Sequence, residues 1–171
     1  MNTLLFRASD KLKDLTPLKT DCGRVCGARC CRSMDGEETG MLLFPGEAER
    51  YAGKDGWTIR HTERGDLVIC PGICRREERP LACRLFPLLP VIGKDGTVTV
   101  KTDQRARAVC PLIRHGREAM DPAFLSAVRE AGEMLAGDET QAAFLRALAE
   151  EQEEIRQLRR LLSGKGGQNC E

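Results

Sequence analysis

The sequence predicts a small, irregular α+β domain built around a metal centre, with short antiparallel hairpins and a C-terminal helical pair. Three observations predict it. Eight of the nine cysteines fall in a broken series between residues 22 and 110. Over the same stretch, short β-like runs are interrupted by glycine- and proline-containing turn signals. Beyond residue 120 the apolar pattern changes to helical spacing.

Leu4, Leu5, Ala8, Leu12 and Leu15 repeat at helical spacing and Pro17 closes the pattern, so residues 3–15 are expected to form an amphipathic helix. Residues 32–40 read as a loop. Met41 to Phe44 is a short apolar run, and Pro45-Gly46 is expected to open a helix reaching Ala52. Residues 57–62 and 66–70 flank Arg64-Gly65 as a hairpin. Residues 88–92 and 97–101 flank Lys94-Asp95-Gly96, and Asp-Gly is a strong hairpin turn signal. Between the hairpins, Pro80 suits the first turn of a short helix and Pro87 suits its end.

Asp121-Pro122 sets a capping residue before a proline at the first helical position, and Gly137 stops that helix after Ala136. A longer helix runs from Asp138 to about Leu162, with Leu145, Leu148, Ile155, Leu158 and Leu162 as its apolar stripe. The division expected is a cysteine-cluster domain over 1–120, a helical hairpin packed on it over 121–162, and a loose tail over 163–171. That tail carries Cys170, which is not expected to be a ligand. The stripe on the last helix is also the place where a protein partner would dock.

Composition narrows the function classes. Aromatic residues are only 4%, so the apolar core is modest and a metal centre would add binding energy that the core lacks. The net charge is +1, and there is no basic stripe with interleaved aromatics, which argues against nucleic acid. Residues 1–13 lack the pattern of a secretory signal, and no window resembles a membrane span, so a cytoplasmic protein is expected. A reducing compartment disfavours disulfides, and an odd cysteine count fits complete pairing badly. Metal ligation is the remaining use for so many grouped thiols.

The first group is Cys22-x3-Cys26-x3-Cys30-Cys31. Three-residue gaps bring successive thiols together on a helical turn or a tight loop. Gly23 and Gly27 permit the sharp backbone turns that metal loops need. Cys30 and Cys31 are adjacent, and adjacent side chains diverge. Either two centres share this segment, or one polynuclear cluster spans it, or one of the two cysteines is packed and not a ligand. Cys70, Cys74, Cys83 and Cys110 would complete the ligation from later elements.

The run Cys26-Gly27-Ala28-Arg29-Cys30-Cys31, the later Cys70-x3-Cys74, and Arg79-Pro80-Leu81-Ala82-Cys83-Arg84-Leu85-Phe86-Pro87 resemble the CxxCxxCC cysteine-cluster family. That family is described as a zinc- or iron-chelating domain and includes flagellin lysine N-methylases. The resemblance covers residues 22 to about 110. It implies a metal centre held by Cys22, Cys26, Cys30, Cys31, Cys70, Cys74, Cys83 and Cys110, and it raises protein lysine methylation as an alternative activity. Metal or cluster delivery is a further alternative.

The gaps between cysteines favour an iron–sulfur cluster, 4Fe-4S in form, over zinc, because zinc knuckles use Cys-x2-Cys. A radical-SAM triplet is excluded, since no three-residue gap is followed by the required two-residue gap. Arg24, Arg29, Arg32, Arg75, Arg76, Arg79 and Arg84 crowd the cysteines. Most read as a solvated face. Arg79 and Arg84 flank Cys83 and are expected to donate to sulfur and offset the charge of the centre. His61, His115, Glu37 and Glu38 are expected to be structural or solvated. No phosphate cradle, dinucleotide fingerprint or nucleophile elbow is present.

Overall fold

The chain is described by a computed structural model over residues 3–32, 40–72 and 74–164. In chain order the elements are α1 (Thr3–Asp10), α2 (Cys22–Cys26), β1 (Gly40–Leu42), β2 (Thr58–Thr62), β3 (Gly65–Ile69), α3 (Leu81–Leu85), β4 (Leu88–Ile92), β5 (Val98–Thr102), α4 (Ala106–Val109), α5 (Pro122–Ala136) and α6 (Glu139–Gly164). Short 3-10 turns lie between them, among them Arg29–Cys31 and Arg76–Glu78. The class is α+β, with two small antiparallel sheets ordered β1-β3-β2 and β4-β5.

Both expected hairpins form. Gly93 and Thr97 close the β4–β5 turn around Asp95, whose carboxylate accepts from the Thr97 N–H and hydroxyl. Gly96 there takes φ +82, which glycine adopts without strain. In the other hairpin Thr62 pairs with Gly65, so Glu63-Arg64 makes the turn, one residue earlier than the sequence suggests. Strand β1 joins β3, pairing Gly40 with Ile69 through Leu42 with Leu67. Three residues are too few to display alternation, which hides this strand in the sequence.

The main core is built from Leu5, Ala8 and Leu12 near the N-terminus, Leu81 and Leu85 of α3, Leu88, Leu89 and Val100 of the β4–β5 hairpin, and the inner faces of α5 and α6. Asp121 accepts from the Ala123 N–H, so α5 starts where the Asp-Pro pair predicts. Gly132 of α5 has a packing reason: a Cβ there would lie 2.4 Å from Pro90 Cβ and 2.9 Å from Val98 Cγ1. The helix therefore rests directly on the hairpin. Gln141 of α6 donates to the Pro45 carbonyl at 2.8 Å, and Gln152 accepts from the Gln104 N–H. A smaller core lies under the three-stranded sheet, where Tyr51 and Trp57 stack 4.8 Å apart beside Leu43 and Val68.

Two expectations require correction. Helix α1 stops at Asp10, and the next turns tighten to i→i+3 bonds, as in Leu12 N–H to Ser9 O; Leu12 is still buried. The helix expected from Pro45 to Ala52 is only a 3-10 turn at Ala48–Arg50. Gly46 at φ +85 cannot continue a right-handed helix. Glu47 is buried instead and accepts the Leu81 N–H at 2.7 Å and the Phe44 N–H at 3.4 Å, fastening this loop to the start of α3.

Burial pushes the Glu47 carboxyl above its ordinary range, against those two N–H donors. An acid whose folded pKa is raised contributes its full stabilisation below its unfolded value. That contribution is lost as pH rises through the folded value. We expect Glu47→Gln to gain stability relative to the parent as pH rises above about 4.3. Urea unfolding at a series of pH values checks this. A pH-independent difference would remove Glu47 as the titrating group.

The apolar stripe of α6 is only partly used. Leu145 and Leu148 are buried, whereas Leu158 and Leu162 are 60% and 74% exposed. Among the described residues, no helix is long and apolar enough to cross a membrane.

Candidate metal centre

All eight cysteines from Cys22 to Cys110 line one cavity of about 100 Å³. A single water needs only roughly 10–15 Å³ by the same measure. The remaining wall is largely apolar, with Leu12, Leu15, Met41, Val68, Phe86 and Leu112 among its side chains. All eight described cysteines are free thiols.

The chain reaches this cavity by several short elements. Asp21 caps α2 by accepting from the Gly23 N–H at 3.0 Å. A helix of five residues then sets Cys22 and Cys26 four apart, on one face. Gly27 at φ +66 and Ala28 at φ +52 both turn left-handed and redirect the backbone. For alanine that conformation costs on the order of 1 kcal/mol or more, a strain typical of functional loops. The Cys31 N–H bonds back to Ala28 O at 2.8 Å, winding the 3-10 turn that carries both vicinal cysteines. Their sulfurs are 3.9 Å apart. Cys70 follows β3 directly, and Cys74 stands beyond Gly72. Both pack on the smaller core. Cys83 rides on α3. Cys110 ends α4, and its sulfur accepts from the Leu112 and Ile113 backbone N–H groups.

Electrostatics divides the thiols. Burial, then Cys26 and Asp21, pushes Cys22 up to about 11 against the opposing charge of Arg79. Burial also raises Cys74, Cys110 and, most of all, Cys83, where Cys31, Cys70 and Cys74 add to the effect. Cys30 and Cys31 share a hydrogen bond. It raises Cys30 and lowers Cys31 to about 6, with help from Arg79. The raised thiols must release protons before they can ligate.

The two arginines expected to act on the centre do different things. Arg79 interacts with Cys22, Cys31 and Cys74 through its charge. Burial works to lower its pKa, but Cys74, Asp21 and Cys31 outweigh it and hold the guanidinium above its usual range. Its Nε is buried, lies at the cavity, and has no hydrogen-bond partner. Arg84 is buried and donates to the carbonyls of Arg79, Arg76 and Glu77 at 3.0–3.1 Å. These bonds go to backbone and not to sulfur, so Arg84 shapes the 76–79 segment.

Arg76 is a further contributor. Its guanidinium donates to Lys13 O at 2.6 Å and Leu15 O at 2.5 Å, holding the segment that follows α1. In the sequence it looks like any other member of an arginine-rich stretch. Arg24, Arg29, Arg32 and Arg75 are exposed, as a solvated face requires. His61 is exposed and bonded to Asp66, and His115 is exposed; neither lines the cavity. Glu37, Glu38 and Cys170 lie outside the described residues.

Among the described residues, no three histidine, cysteine, aspartate or glutamate side chains meet closely enough to grip one bare ion as they stand. The thiols ring a space instead of converging on a point. The donor set nonetheless suits a thiolate-held group: soft sulfur ligands, N–H donors aimed at a sulfur, and an unpartnered buried guanidinium nitrogen facing the same space. Fold and site together define a thiol-lined α+β domain. The chain matches no family model, no curated protein and no solved structure.

Proposed function

We propose that the chain is a metal-binding cysteine-cluster protein, with iron–sulfur favoured over zinc and a structural or electron-carrying role. The observation that carries this reading is the gathering of eight thiols, drawn from α2, the 3-10 turn after it, the end of β3, α3 and the end of α4, around one apolar cavity. An unpaired hydrophobic pocket would need no sulfur, and a lone packed cysteine would need no neighbours.

When bound, a thiolate-ligated cluster would supply one-electron chemistry and cross-link the elements that reach it. The chain's own residues would ligate through sulfur, offset the negative charge through Arg79, donate to the Cys110 sulfur from Leu112 and Ile113, and exclude water with the apolar wall. Iron–sulfur is preferred because the cavity is roomier than a closed tetrathiolate ion requires, and because the cysteine gaps are irregular.

Anaerobic purification followed by metal and acid-labile sulfide analysis tests the proposal. Iron with matching sulfide and a broad visible absorption is the expected result. Zinc without colour would keep metal binding and replace the cluster with closed structural sites. A metal-free protein with paired thiols would overturn the proposal.

A further inference from the structure

We infer that Cys30 and Cys31 are the site of a reversible oxidative modification: when the thiols hold no group, a peroxide joins these two sulfurs in a vicinal disulfide, and the bond closes the site to loading. The disulfide itself stands on the thiols alone. Its effect on loading deepens the metal-binding reading above and rests on it.

Exposure and proximity single out this pair. Of the eight thiols from Cys22 to Cys110, Cys30 is exposed and the other seven are half-buried. An oxidant in solution therefore meets Cys30 first. The Cys30 sulfur lies 3.9 Å from that of Cys31, the one sulfur–sulfur hydrogen-bond contact among the described residues. A second thiol thus stands ready beside the one that is attacked. Cys22 and Cys26 belong to α2, on the far side of the left-handed turn at Gly27 and Ala28.

The chemistry balances with hydrogen peroxide as the sole co-reactant. The Cys30 sulfur attacks one peroxide oxygen, the O–O bond breaks, and a sulfenic acid and one water result. The Cys31 sulfur then attacks the Cys30 sulfur and the S–O bond breaks. The hydroxyl leaves with the Cys31 proton as a second water. Two thiols have lost two hydrogens and two electrons to form the S–S bond, and the peroxide has been reduced to two waters.

The turn can yield to this bond. Its sulfurs must approach by roughly 2 Å to reach a disulfide length, and neighbouring Cα atoms, about 3.8 Å apart, are closer than ordinary disulfides prefer. The ring is therefore strained and opens readily to a thiol reductant, as a reversible switch requires. Neither α2 nor the Arg29–Cys31 turn contains a buried residue, so the backbone can shift without breaking core packing. Adjacency in sequence keeps the pair together even where the turn loosens. Once joined, the two sulfurs no longer ligate, and the cavity loses two of its eight thiols.

Peptide mass after oxidation tests the bond. The full chain is chelated, treated with equimolar hydrogen peroxide, alkylated and cut with trypsin. Cleavage after Arg29 and Arg32 releases Cys30-Cys31-Arg32, which contains both sulfurs and no other cysteine. This tripeptide should be recovered unalkylated and about 2 Da lighter than its dithiol form, and glutathione should return it to the doubly alkylated form. Uptake of zinc, and of iron with sulfide, should be lost in the oxidised chain and restored by the same reduction. Cys30 bridged to a different cysteine peptide, or a doubly alkylated tripeptide after the peroxide is consumed, would overturn the inference. A disulfide that leaves uptake unchanged would sink its role in loading. A reduced chain that takes up no metal would remove the metal-binding reading and the loading role with it, while the bond is still decided by the peptide mass.

Discussion

On the proposed metal-binding reading, stripping the metal should unfold α2, the Arg29–Cys31 turn and the Cys70–Cys74 turn and leave the main core standing. Helix α2 has five residues and the Arg29–Cys31 turn three, and neither contains a buried residue. Isolated helical pieces this short do not persist in water. The elements of the main core instead bury Leu88, Phe124, Val128, Leu135 and Leu145 almost completely and need no ligand to stay together. A structural thiolate site contributes on the order of 10–16 kcal/mol in small metal domains, while a whole domain is stable by about 5–15 kcal/mol. A term of that size decides whether residues 22–32 are ordered. Hydrogen exchange on the loaded and chelated protein should show protection vanishing around α2, the following turn and the Cys70–Cys74 turn, with α5, α6 and the β4–β5 hairpin still protected. Identical protection in both states would refute a structural role for the metal.

Arg84→Met should destabilise the protein by about 1–3 kcal/mol. Arg84 is 9% exposed, and its guanidinium serves the carbonyls of Arg76, Glu77 and Arg79, in and just after the turn that leads into α3. Methionine keeps most of the apolar stem and removes every donor, so the Arg79 carbonyl loses its Arg84 partner, while the Arg76 carbonyl keeps the Arg79 N–H and the Glu77 carbonyl keeps Arg50. Arg84→Lys should recover little, because one ammonium cannot reproduce a planar fork that spans several acceptors. For a chain of this length, a loss of ~2 kcal/mol lowers the melting temperature by roughly 4–8 °C. Thermal unfolding of the two variants beside wild type measures it. A shift within error for Arg84→Met would mean that water satisfies those carbonyls and that Arg84 is not a clamp.

Local signals in the sequence were reliable where the structure is decided locally. The Asp95-Gly96 turn, the Asp121-Pro122 cap and the stop at Gly137 each depend on residues within a few positions, and each stands where it was expected. The Pro45–Ala52 segment was misread because its conformation is set from a distance, by Glu47 reaching Leu81. Strand β1 escaped notice because it pairs with residues far along the chain. The same reason limited the site. Clustering made the cysteines conspicuous, but only the folded chain brings Cys110 to the cavity beside Cys22 and Cys26. Arg79 and Arg84 looked equivalent around Cys83; helix geometry and burial send one toward the thiols and the other toward backbone oxygens. The outer half of the α6 stripe, Leu158 and Leu162, is periodic in sequence yet extends past anything the described residues offer as a partner.

Helix α1 has its packing surface on α5, more than a hundred residues later, and this has a consequence for biosynthesis. A chain leaving the ribosome exposes all eight thiols before the helix on which α1 packs has been made. At roughly 5–20 residues per second, the interval between the emergence of Cys110 and the completion of α5 is a few seconds. During that time the nascent thiols are accessible to oxidants, to stray ions and to any donor that loads them. Correct maturation is then a race between these encounters. On the proposed metal-binding reading, a host that limits the metal supply would accumulate chains whose main core is folded and whose cysteine-bearing turns still await their centre.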